Sequence, residues 1–74
     1  MDRAALERYL AQAEAQVASA RERIRNQEQL VADLSLDEAN IDIATRALGV
    51  CRHSLEMYIA DRDRLRRMLE ELSS

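Results

Sequence analysis

Two runs of heptad-spaced apolar residues, one in each half of the chain, limit what it can fold into. The first is Leu6, Leu10, Ala13, Val17, Ala20, Ile24, Gln27, Val31 and Leu34. The second is Ile41, Ala44, Leu48, Cys51, Leu55, Tyr58, Arg62, Leu65, Leu69 and Leu72. Steps of three and four alternate without a slip within each run, which is the 3.5-residue period of a helix seam packed against another helix. Only Gln27 and Arg62 break the apolar rule.

Between the runs the phase changes. A continuous seam would place Glu38 at the next core position after Leu34, but the apolar series resumes at Ile41. The break predicts a turn; the competing reading is a stammer in one long helix that pairs in parallel with a second chain. Local chemistry favours the turn. Ser35 with Glu38 three residues on matches a capping box, and Asp37 and Asn40 are rival N-caps. The expectation is all-α: an antiparallel two-helix hairpin over residues 1–74, with helix 1 over about 2–34, a turn within 34–40 and helix 2 over about 40–72.

At 74 residues a chain is one domain at most, and its own core rarely supplies more than about 3–5 kcal/mol. Such a chain needs a staple, very regular helix packing or a partner. Cys51 is the only cysteine, so no disulfide can form within the chain, and one His with one Cys argues against a metal site. Proline is absent, Gly49 is the single glycine, and Ala, Leu, Glu, Gln and Arg dominate, all good helix formers. Regular packing and self-association remain. Charges recur throughout, so no membrane span or signal peptide is expected, and a lone thiol fits a reducing, cytoplasmic setting. A net charge of −3 weighs against nucleic acid and anionic membranes as partners.

Folding back at the turn pairs the seams in layers, from Leu34 with Ile41 through Gln27 with Leu48 and Ala13 with Arg62 to Leu6 with Leu69. Small residues then face large ones, as space filling requires. One flank of the seam sets Glu7, Glu14 and Glu28 against Arg52 and Arg66, which favours the antiparallel register. The polar layers Gln27 and Arg62 are expected to fix register at a cost in stability, with the Arg62 head reaching outward toward Glu14.

Helix 2 carries more apolar residues than one seam can cover. Leu36, Ile43, Val50 and Met57 recur every seven residues beside the other flank, where Tyr9, Leu30, Ala47 and Met68 lie. A row of large apolar residues on so small a protein marks a contact surface. Tyr9, Leu30, Leu36, Ile43, Val50, Met57 and Met68 are therefore the expected oligomer interface, through which two hairpins form a four-helix bundle. A heterologous helical protein could use the same stripe.

Chemistry is sparse. His53 falls on the outer face without a paired motif, and Cys51 occupies a seam position that denies a nucleophile access. The run Asp61-Arg62-Asp63-Arg64-Leu65-Arg66-Arg67 reads as a solvated face with pairs such as Asp63 with Arg67; its functional alternative is an arginine patch for RNA. No catalytic residue, cofactor or metal ligand is expected, and no enzyme.

Two stretches carry a resemblance: Gln16-Val17-Ala18-Ser19-Ala20-Arg21-Glu22-Arg23-Ile24 leading into Gln29-Leu30-Val31-Ala32-Asp33-Leu34, and Ile59-Ala60-Asp61-Arg62-Asp63-Arg64-Leu65. Together they resemble a group of short, uncharacterised bacterial helical-hairpin proteins. Glycine is usual in that group's turn, whereas here it reads Leu36-Asp37-Glu38-Ala39-Asn40. The resemblance implies the hairpin and no activity. In architecture alone the chain is also similar to the Rop-like hairpins, which dimerise and bind RNA loops. The expected function is a small interaction or regulatory module that self-associates, with a dimeric RNA-binding regulator as the alternative.

Overall fold

The structure, a computed structural model, describes residues 2–73. Helix α1 spans Arg3–Asp33 and helix α2 spans Glu38–Ser73. No strand occurs among the described residues. The helices, 31 and 36 residues long, would measure roughly 46 and 54 Å at about 1.5 Å per residue. The molecule's principal extents are 55 × 15 × 14 Å. The two helices therefore lie side by side along their whole length, and a single continuous helix is excluded.

Capping explains where each helix starts. Asp2 has extended backbone, and its carboxylate accepts from the Ala5 N–H at 2.7 Å. That is one of the donors a helix start leaves unpaired. Asp37 does the same for α2. Its Oδ1 accepts from the Asn40 N–H at 3.2 Å, its Oδ2 accepts from the Asn40 side-chain amide at 2.8 Å, and its carbonyl receives the Ile41 N–H. Of the cap residues the sequence offers, Asp37 holds the position, Asn40 serves as its donor, and Ser35 lies inside the turn.

The connection runs from Leu34 to Asp37. Leu34 ends α1 at φ −94°, ψ 9°, and its N–H bonds to the Leu30 carbonyl. Ser35 and Asp37 then donate to the Ala32 and Leu34 carbonyls at 3.3 and 2.9 Å. These are tight i→i+3 bonds of the kind that close a last helical turn. No described residue has a positive φ, so the turn needs no glycine.

The core is one thin seam. Leu6, Ala13, Val17 and Ala20 of α1 and Ala44, Leu48 and Leu65 of α2 are buried, all of them heptad positions. Other seam positions, Ile24, Cys51, Leu55 and Tyr58 in mid-hairpin among them, are only partly covered. Leu72 continues the heptad series but is 50% exposed, because it lies beyond the Leu6–Leu69 layer, where α2 has run past the buried part of α1. No helix among the described residues is long and apolar enough to cross a membrane.

Candidate interaction surface

The two flanks of the seam have opposite chemistry. On one, Arg66 meets Glu14 at 3.6 Å and Arg52 meets Glu28 at 3.8 Å, both between helices. Each pair is about half exposed and contributes about 0.2–1 kcal/mol. Their value lies in register, because a shift of either helix by one turn would part both. Glu7 does not join them; it pairs with Arg3 on its own helix at 3.1 Å.

The other flank is open. Shallow hollows lie along it: two adjoining ones bordered by Tyr9 and Gln16 of α1 with Met57, Tyr58, Asp61 and Arg64 of α2, and a separate one bordered by Arg23 with Val50, Cys51 and Ser54. Beside it stand Ile43 and Val50, each 67% exposed, and Met57, 61% exposed. They occupy one line of α2, seven residues apart, as the helical period dictates. Tyr9 and Leu30 are exposed on the same side.

Two of the expected interface residues are placed differently. Leu36 is 98% exposed, but it belongs to the turn and not to α2, because heptad spacing carries no meaning outside a helix. Met68 is half-buried and packs on the Leu6, Ala13 and Leu65 cluster of its own hairpin, together with Leu10 and Leu69. Its unbranched, flexible side chain adapts to that surface.

The polar seam residues are both engaged. Gln27 donates from Nε2 to the Ala44 carbonyl at 3.0 Å, joining the helices. The Arg62 guanidinium, with its side chain 17% exposed, donates from Nε and Nη2 to Asp63 Oδ1 at 3.1 and 3.0 Å. The expected reach of Arg62 to Glu14 is thus replaced by a bond to its sequence neighbour, and Glu14 is taken by Arg66. Asp63 likewise receives Arg62 in place of the expected Arg67. No buried side-chain polar atom among the described residues lacks a partner.

Other charged groups sit on the surface in local pairs. Arg25 bonds Glu22 and Arg64 bonds Asp61 on successive helical turns. His53 is exposed, with Nδ1 4.0 Å from Glu56. Cys51 is half-buried in the hollow it shares with Arg23, Val50 and Ser54. No group of three or more His, Cys, Asp or Glu among the described residues could hold a metal.

The class defined by this geometry is a two-helix hairpin with one flank ion-paired between the helices and an exposed apolar line on α2 beside the other. No protein-family model matches the chain, and neither the curated proteins nor the solved structures yield a match.

Proposed function

We propose that this chain is a small, non-enzymatic interaction or regulatory module that self-associates through the exposed side of α2, two hairpins forming a four-helix bundle. The observation that carries the reading is the line of Ile43, Val50 and Met57, three large apolar side chains each more than 60% exposed along one helix face.

Surface area supports the same conclusion. A compact monomer of this mass exposes about 4,700 Å², whereas this chain exposes 5457 Å². The excess, roughly 800 Å², matches one side of a standard protein interface. An elongated two-helix rod cannot cover that area by itself, and a second rod laid along the open flank can.

The arginines favour the protein partner over RNA. Arg3, Arg25, Arg52, Arg62, Arg64 and Arg66 each lie on a carboxylate, which cancels much of the field a phosphate backbone would need. The setting that suits a lone cysteine is the reducing cytoplasm.

Sedimentation equilibrium over a micromolar concentration series tests the reading. It predicts a reversible approach to twice the mass of one chain. A single-chain mass at every concentration would refute it.

A further inference from the structure

We infer that the turn is a hinge. At high concentration the hairpin exchanges with a two-chain form in which residues 34–37 are helical and α1 of each chain lies on α2 of the other. This does not rest on the apolar line of α2, which the exchange leaves as exposed as before.

The phase of the seam carries the idea. Every seventh residue from Leu6 to Leu69 is a seam position, and the series passes through Leu34 and Ile41 on either side of the turn without a slip. Only its companion series changes sides, from Leu10, Val17, Ile24 and Val31 to Ala44, Cys51, Tyr58 and Leu65. Seven residues of straight helix turn through about 700°, which leaves Leu34 and Ile41 on one face, two turns apart. A turn adjusts its dihedrals to join seams of other phases; a straight helix has no such freedom.

The contacts of the hairpin survive the exchange. Two straightened chains, antiparallel about an axis through the middle of the turn, bring each seam residue the same neighbour it has in the hairpin, now from the second chain. The Gln27 bond to the Ala44 carbonyl and the pairs Glu14–Arg66 and Glu28–Arg52 re-form between chains. Register and direction are those the hairpin already has. Exchange of an identical element in this way is a low-cost route to a dimer.

Little holds the turn bent. Helical-type bonds run nearly through it: Leu34 donates to the Leu30 carbonyl at 3.0 Å, Ser35 to Ala32 at 3.3 Å, Asp37 to Leu34 at 2.9 Å and Ile41 to Asp37 at 2.9 Å. No described residue has a positive φ, and Leu34-Ser35-Leu36-Asp37-Glu38-Ala39 contains neither glycine nor proline. Leu36, 98% exposed, ties the turn to neither helix. Straightening replaces i→i+3 bonds with the i→i+4 bonds of an α-helix.

Asp37 is the latch. Its carboxylate caps α2 through the backbone N–H and side-chain amide of Asn40, and opening gives up that cap. In the straight helix Asp37 and Glu38 fall between Leu34 and Ile41 on the seam side, so two copies set four carboxylates around the axis, where like charges repel. The hairpin is therefore the prevailing form, and the exchanged form gains by mass action as concentration rises.

Cross-linking tests the exchange. In a Cys51→Ser background, Glu14→Cys with Arg66→Cys sets two thiols where the ion pair stood, and a short bismaleimide joins them. A hairpin yields a linked single chain; the exchanged form yields two chains that stay together on a denaturing gel. The protein is held near its melting midpoint at high concentration, cooled, diluted and then linked. Two-chain product should appear, and it should rise several-fold when Asp37→Ala and Glu38→Leu are added to remove the cap and the facing carboxylates. Residues 3–73 as one helix would measure roughly 106 Å at about 1.5 Å per residue, so X-ray scattering before dilution should show a particle of twice the chain mass and about that length, against 55 Å for the hairpin. Single-chain product alone, with and without the added substitutions, would overturn the hinge. A dimer that keeps the 55 Å length and links only within chains would overturn it too, while leaving self-association through α2 standing.

Discussion

The side-chain amide of Gln27 donates to the backbone carbonyl of Ala44 at 3.0 Å, tying the last turns of α1 to the first turns of α2. Ala44 is buried and Gln27 partly so, so water reaches this bond poorly. Gln27→Ala is expected to lower stability by about 0.5–1.5 kcal/mol, the usual net worth of such a bond. Gln27→Leu should recover that loss through apolar contact in the seam. Thermal melts at one fixed protein concentration check both, since self-association makes the midpoint concentration-dependent. An alanine variant as stable as the parent would show that the bond contributes nothing.

Asp37 predicts a pH dependence. The Asn40 side-chain amide, then the Asn40 backbone N–H, hold its carboxyl below the ordinary 3.8. The folded state thus prefers the carboxylate, and the unfolded chain binds a proton more readily. The stabilisation is fully present above the unfolded value and is lost as pH falls through the lower folded one. Melting temperature should therefore drop below about pH 4, and Asp37→Asn, which keeps an N-cap but not the charge, should flatten that part of the profile. An unaltered acid limb in the Asn variant would contradict this role.

Gly49 lies in the interior of α2, and a Cβ built there meets nothing within 4 Å. Glycine inside a helix costs roughly 0.5–1 kcal/mol relative to alanine. Gly49→Ala should raise the melting temperature by several degrees, at about 4–8 °C per kcal/mol for a domain of this size. A fall in melting temperature would mean that another backbone occupies the space beside residue 49.

The cross-helix pair Glu14–Arg66, at 3.6 Å, predicts charge-swap behaviour. Arg66→Glu alone sets two carboxylates opposite each other and should destabilise by up to about 1 kcal/mol. Adding Glu14→Arg should restore most of the loss. The double-mutant cycle measures the coupling, and a cycle that closes at zero at low salt would show that the pair does not help hold the register.

The seam was legible in the sequence because burial along a helix follows one period. Ala13, Val17, Ala20, Ala44, Leu48 and Leu65 all fall where the heptads put them. The exposed line Ile43, Val50, Met57 follows from the same period, read one face over. Periodicity fails where the helix does: Leu36 has the right number but stands in the turn. It is equally silent on short-range choices. Ser35, Asp37 and Asn40 are all competent caps, and only the i→i+3 bonds that close α1 decide that Asp37 opens α2. Arg62 has carboxylates on both sides, and Arg66 occupies Glu14, so Arg62 settles on Asp63. Met68 sits at the margin by spacing, but its flexible chain packs onto the Leu6, Ala13 and Leu65 cluster. Choices of this kind are made by rotamers and competing partners, which residue spacing does not encode.

Light scattering of the intact protein beside Met57→Glu bears most directly on the idea that the open side of α2 holds a second copy. Met57 is 61% exposed in the hairpin, so a carboxylate there leaves the fold of one chain undisturbed but would be stranded without a partner once buried. The expected result is twice the mass of one chain for the parent and a shift toward the single-chain mass for the variant, with helical content retained. Equal masses for the two proteins would contradict the account.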